Sequence, residues 1–209
     1  MKRSILLVIN MLIAISVFAK SDTTAHSSAG SVGSRFYFPV SIGVSVPFRN
    51  VNTRLTSGLA LSTGLEYRLR KTDGFFFRVE YDALNNNYKR YTGALPTNIV
   101  QGKLFSGFVL GGAGYRKKLS RWEIFASLQP GLGIRSFERA DINAGGVYLN
   151  KVTNDSFATK AAIGLEYYIR SNFNLFFEPS YYKYFSSHGF SSYHSRFLSF
   201  NIGFSAARF

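Results

Sequence analysis

At 209 residues the chain has room for one domain, and without a single cysteine it has neither a disulfide framework nor a site for lipoprotein anchoring. Its 25 Lys and Arg outweigh 11 Asp and Glu, a balance that in a cytosolic protein would point to nucleic acid. The first segment argues against that compartment, and no nucleic-acid partner is expected.

Met1-Lys2-Arg3 is a positive start, Ile5 to Phe18 is an apolar run, and Val17-Phe18-Ala19 is a small-residue cleavage pattern. Residues 1–19 therefore read as a signal peptide, since the apolar run falls short of the ~20 residues that span a bilayer as a helix. Residues 20–34, rich in Ser, Thr, Gly and Ala, read as a flexible periplasmic lead-in. Nothing after Ala19 is long and apolar enough for a transmembrane helix, yet the chain carries 21 Phe and 13 Tyr. That combination favours strands whose apolar residues alternate outward.

Residues 35–209 divide into eight candidate strands, near 35–48, 57–71, 74–88, 101–117, 121–137, 157–170, 172–185 and 195–208. Each is longer than the ~9 to 11 residues a tilted strand needs to cross a membrane. The connections at 71–73, 118–120 and 171 are short, while 85–100, 138–156 and 186–194 read as long loops and 49–56 as intermediate. Short turns on one side and long loops on the other characterise outer-membrane barrels, and both termini then lie on the short-turn, periplasmic side. The expected fold is all-β: an eight-stranded antiparallel up-and-down transmembrane β-barrel in the bacterial outer membrane.

Parity assigns the faces. Phe36, Phe38, Val40, Ile42, Val44 and Val46 face lipid on the first strand, and Leu59, Leu61, Leu65 and Leu69 on the second. Phe75, Phe77, Val79 and Tyr81 follow on the third, and Trp122, Ile124, Ala126, Leu128 and Leu132 on the fifth. The fourth strand is ambiguous, with Phe105 and Val109 on one parity against Leu104, Phe108 and Leu110 on the other. Tyr67, Phe75, Tyr115, Trp122, Tyr167 and Phe173 all fall near short turns, as an interfacial aromatic girdle requires. Pro47, Pro130 and Pro179 lie within strand patterns, where a closed barrel has no free edge, so bulges are expected there. Leu198, Phe200, Ile202 and Phe204 are opposite in parity to the final Phe209.

A small signature repeats. Gly64-Leu65-Glu66-Tyr67, Gly112-Ala113-Gly114-Tyr115 and Gly164-Leu165-Glu166-Tyr167 each precede a polar turn and an aromatic strand start, so one hairpin recurs. The run from Gly164 to Phe185, GLEYYIRSNFNLFFEPSYYKYF, is similar to the last hairpins of the PorT-like outer-membrane β-barrel domain family, over roughly residues 35–209. The resemblance implies architecture rather than chemistry. Families of this kind include a component of a protein secretion and gliding system.

Eight strands enclose a lumen that side chains can fill, so a solute channel is not expected on size alone. The inward set Glu66, Arg68, Arg78, Glu80, Glu123, Arg135, Glu166, Arg170 and Glu178 carries both signs and reads as a structural ion-pair network. Glu166 and Arg170 are about 13 Å apart along one strand, too far to pair, so partners from neighbouring strands are expected, with Arg135 and Glu178 the candidates. The sharper alternative is a narrow ion path, a small pore. A second alternative is a lipid A-modifying enzyme of the deacylase or acyltransferase kind, for which Ser192 and His194 share a parity in the last loop, although no acidic residue lies within that loop to orient the base.

Asp141-x-Asn143-x-Gly145 lacks the downstream Glu of a calcium loop, and there is no P-loop, dinucleotide fingerprint or Cys/His cluster, so no cofactor or metal is expected. Arg49, Arg54, Lys89, Arg90, Lys103, Arg139 and Lys151 flank the long loops, where outer-membrane lipids and lipopolysaccharide present anionic head groups; other envelope proteins are further candidate partners. The sequence reading is thus a non-catalytic barrel with a structural, adhesion, assembly or secretion-accessory role.

Overall fold

A sheet whose residues alternate with a period of two has one apolar and one polar face, and it can turn the apolar face outward while satisfying every strand edge only by closing around the polar one. Here it closes on itself. The computed structural model describes residues 36–48, 53–69, 74–91, 99–143, 146–170, 172–185 and 196–208. The leader and lead-in lie outside these residues. The strands are β1 (Phe36–Pro47), β2 (Thr53–Leu55), β3 (Gly58–Arg68), β4 (Phe75–Tyr91), β5 (Ile99–Leu119), β6 (Trp122–Asn143), β7 (Gly146–Arg170), β8 (Phe173–Phe185) and β9 (Arg196–Arg208). Each long strand pairs antiparallel with its sequence neighbours, β1 pairs with β9, and β4 pairs with β5, so eight strands form a closed up-and-down barrel. The three-residue β2 prolongs the lane of β3 beside β4, pairing Thr53 with Arg90.

Phe36 pairs with Arg208 and with Tyr67, which places both ends of the barrel at the short-turn end. There, cross-strand ring pairs decorate the outside: Phe36 with Tyr67 at 5.0 Å, Phe75 with Tyr115 at 5.3 Å, Trp122 with Tyr167 at 4.7 Å and Phe173 with Phe204 at 5.8 Å. Toward the other end Phe157 meets Phe185 at 5.5 Å. Tyr167 and Phe157 bracket a stretch of β7 about 33 Å long at ~3.3 Å per residue. Tilted by ~40°, that stretch rises about 25 Å, the height of the lipid-facing band of an outer-membrane barrel. Between the rings the outward residues are apolar and exposed, among them Ile42, Leu61, Val79, Val109, Leu128, Ile163 and Ile202.

Two expectations need correction, and one ambiguity is resolved. The segments 85–100 and 138–156 are not loops for most of their length. β4 continues to Tyr91 and β5 begins at Ile99, while β6 and β7 stay in unbroken register out to Asn143 opposite Gly146. Above the membrane band a hairpin still satisfies its own backbone groups, and the β-branched and aromatic content of 137–153 supports it. No bulge marks the prolines. β6 pairs β5 in one register on both sides of Pro130, and β8 pairs β7 in one register on both sides of Pro179; pairing lapses beside each proline and resumes. Pro47 ends its strand. The shift in register that does occur lies between Tyr168 and Arg170. The ambiguous strand is settled: Leu104, Ser106, Phe108 and Leu110 point inward and are buried, Phe105 and Val109 outward.

Candidate functional site: the filled lumen

Inward residues of the short-turn half are mostly ionisable because the same alternation that puts Leu65 and Tyr67 outward puts Glu66 and Arg68 inward. Two nodes organise them. Glu66 on β3 accepts from three guanidiniums: Arg68 at 2.6 Å, Arg78 at 2.6 Å, and Arg116. Lys160 on β7 meets three carboxylates: Glu80 at 2.7 Å, Glu178 at 2.9 Å and Asp82 at 3.2 Å. Arg78 joins the nodes, since its Nη1 also reaches Glu178 at 2.7 Å and Glu80 at 3.1 Å. At the mouth Arg116 donates to Glu123 at 2.9 Å and Glu166 at 3.2 Å, and Arg68 reaches Glu166 at 3.1 Å. Tyr168 donates to Glu123, and Tyr182 donates to Asp82 at 2.9 Å. Burying charges this deeply is tolerable only when each is met by partners; every charged group here has at least two, although Asp82 Oδ1 and Arg116 Nε have none among the described residues.

Some partners lie on adjacent strands, Glu66 with Arg78, Arg116 with Glu123 and Lys160 with Glu178, and others lie across the lumen. Glu166 on β7 is held by Arg68 of β3 and Arg116 of β5, and Arg78 of β4 by Glu178 of β8. These last pairs span the interior. Two rings wedge into the same layer: Phe76 and Phe125 lie edge to face at 6.1 Å, with Arg78 and Arg116 over their faces. Room for them comes from the repeated signature. A Cβ on Gly114 would sit 2.2 Å from Phe76, and one on Gly164 would sit 2.2 Å from Phe125.

The long-loop half is apolar. Ala60, Leu84, Leu104, Phe108, Leu110, Phe137, Ala158, Tyr182, Tyr184 and Phe197 form one buried cluster, with Phe108 and Tyr182 rings 5.2 Å apart.

Of the sequence-predicted set, Glu66, Arg68, Arg78, Glu80, Glu123, Glu166 and Glu178 come together in the network. Arg135 is buried but stands apart, among the apolar side chains. Arg170 is exposed at the β7–β8 rim and joins none of these pairs, because the register shift there ends the regular alternation. Ser192 and His194 lie outside the described residues. Sequence reasoning missed Arg116, Lys160 and Asp82 as network members. Parity places Asp82 inward with Glu80 and would have found Lys160, which shares it with Glu166; Arg116 was hidden by the ambiguous parity of its strand.

The architecture has counterparts among solved structures. Neisserial surface protein A superposes with a TM-score of 0.56 at 17% identity, over 84% of this chain and 98% of that one. The fold is that of an eight-stranded outer-membrane barrel. OprG from Pseudomonas aeruginosa matches this barrel with a TM-score of 0.51 at 10% identity, over 85% of this chain and 97% of that one. No protein-family model matches the sequence, and no curated protein matches it. At these identities the likeness speaks for the barrel's architecture; what the barrel does rests on its own lumen and surfaces.

Proposed function

We propose that this chain is a non-catalytic outer-membrane protein, a sealed barrel that displays the β4–β5 and β6–β7 hairpins beyond the membrane for adhesion or for assembly with other envelope proteins. The filled lumen carries this reading. Ion pairs bridge the interior in one half and rings fill it in the other, so the working surfaces are the outer wall and the protruding strands. β6 and β7 have 22 and 25 residues, about twice what the membrane band needs, while β1, β3, β8 and β9 have 11 to 13. The pairs between β5 and β6 end at Phe105 with Ser136, so above that rung the two hairpins present separate strand edges, the kind of edge an extended partner segment can join.

Planar-bilayer recording tests the sealed lumen: the purified barrel should give no conductance above the lipid background, and steady openings would restore the pore reading. Co-purification from native membranes, with residues 140–149 of the β6–β7 tip deleted as the control, should lose partners with the tip. An epitope at Asn143 should be labelled on intact cells and one at Asp73 should not, if the short-turn end is periplasmic. The PorT-like resemblance agrees with an assembly or secretion-accessory role.

A further inference from the structure

Arg135 is the buried network candidate that the network leaves out, and its surroundings are specific. It is 1% exposed, and among the described residues its Nε, Nη1 and Nη2 have no hydrogen-bond partner. The guanidinium carbon lies 4.1 Å from the Tyr184 ring centroid and 5.0 Å from that of Phe197. Rings attract a cation, but they accept none of its five N–H groups in the plane of the fork. Ser106, directly across the β5–β6 ladder on the same inward face, is fully buried, and among the described residues its hydroxyl is also without a partner. A charged fork and a hydroxyl thus sit on facing rungs, and among the described residues neither is engaged in a hydrogen bond.

The described residues have no acid to supply. Of the chain's 11 Asp and Glu, six belong to the ion-pair network. Glu138 and Asp155 lie on the outward parity of β6 and β7 and are exposed. Asp141 is about 20 Å farther along β6 at ~3.3 Å per residue. Asp73 falls between β3 and β4 at the short-turn end, and Asp22 precedes β1. The connections at the long-loop end, 49–52, 92–98, 144–145 and 186–195, contain no Asp or Glu at all. A buried guanidinium is kept charged by its high basicity, so it requires an anion from elsewhere.

We propose that Arg135 and Ser106 form a binding site for a single oxyanion group, a carboxylate or a phosphate, in the long-loop half of the lumen. The planar fork of Arg135 matches two oxygens of such a group, and the Ser106 hydroxyl donates to one of them or to a third. One positive charge selects a group with one negative charge. The last β5–β6 rung lies one position away, at Phe105 with Ser136. Beyond it the wall parts, and the buried Leu104 and Phe137 cover the interior. An anion therefore has a path in at the level of the lipid head groups once those two side chains move.

The test uses the whole purified protein, with the unfolding midpoint read from heat-modified gel mobility. In detergent, inorganic phosphate or acetate should raise the midpoint by about 2–4 °C over chloride at equal ionic strength. In nanodiscs, phosphatidylglycerol is compared with phosphatidylcholine; a rise there without one in detergent assigns the anion to a lipid head group rather than to a free solute. Arg135→Met keeps the length and fits the apolar surroundings, so it should fold, match or exceed the parent midpoint in chloride, and lose the rise. Ser106→Ala should keep part of it. No rise in any arm, or an equal rise in Arg135→Met, overturns the site, and neither result touches the sealed-barrel reading.

Discussion

The two halves of one lumen solve the same problem by opposite means. In the short-turn half, four cations and six carboxylates interlock around Glu66 and Lys160; in the long-loop half, Phe108, Tyr182, Tyr184 and Phe197 pack as a protein core would. Both halves fill the space. They differ in how failure propagates: removing one ion leaves its partners charged and buried, whereas removing one ring leaves a gap that neighbours can partly close. The polar half is thus held by mutual dependence and the apolar half by volume. Arg135, a charge placed in the half that runs on volume, is the exception that makes the contrast informative.

The largest expected break is Lys160→Met. It leaves Glu80, Asp82 and Glu178 facing one another with Arg78 as the cation for Glu80 and Glu178 and only the Tyr182 hydroxyl for Asp82, and should cost about 3–5 kcal/mol in urea unfolding of the detergent-solubilised barrel. Pairing it with Glu80→Gln should recover part of that loss, which would show that the uncompensated charge, not the lost lysine, is what hurts. Phe108→Ala probes the other half. Its ring lies against Tyr182, and the expected loss is about 3 kcal/mol, with no recovery from any charge-removing second change. Should Phe108→Ala prove the costlier of the two, the ranking of mutual dependence over volume fails.

The wall between lumen and lipid offers a smaller contrast. Leu61→Arg puts a charge on the lipid-facing side and should cost about 2–4 kcal/mol and impair membrane assembly, whereas Ser62→Arg, one residue on, turns toward the lumen and should assemble better. Pulse labelling of outer-membrane fractions compares the two. The smallest effect is expected from Arg170→Ala. The side chain is exposed at the rim, so the unfolding midpoint should move by no more than about 0.5 kcal/mol equivalent. A large loss there would mean the network extends beyond the mouth.

Strand number, antiparallel order and the inward or outward sense of almost every residue follow from the sequence, because a period of two admits only two faces and the apolar one must meet lipid. The girdle residues Tyr67, Tyr115 and Tyr167 are legible for the same reason, each sitting just before a short turn. The long-loop end was misread because hairpins that leave the membrane lose the lipid-facing pattern while keeping their backbone pairing, and pairing has no period in the sequence. The fourth strand was ambiguous since its inward face in the long-loop half is as apolar as its outward face. Adjacent-strand pairs such as Glu66 with Arg78 follow once register is set, but closure decides which charges meet across the interior: curvature and strand stagger bring Arg116 of β5 to Glu66 of β3, and Arg78 of β4 to Glu178 of β8. The solitary position of Arg135 was hidden for that same reason, since a residue's partners across a barrel depend on distances that no local stretch of sequence encodes.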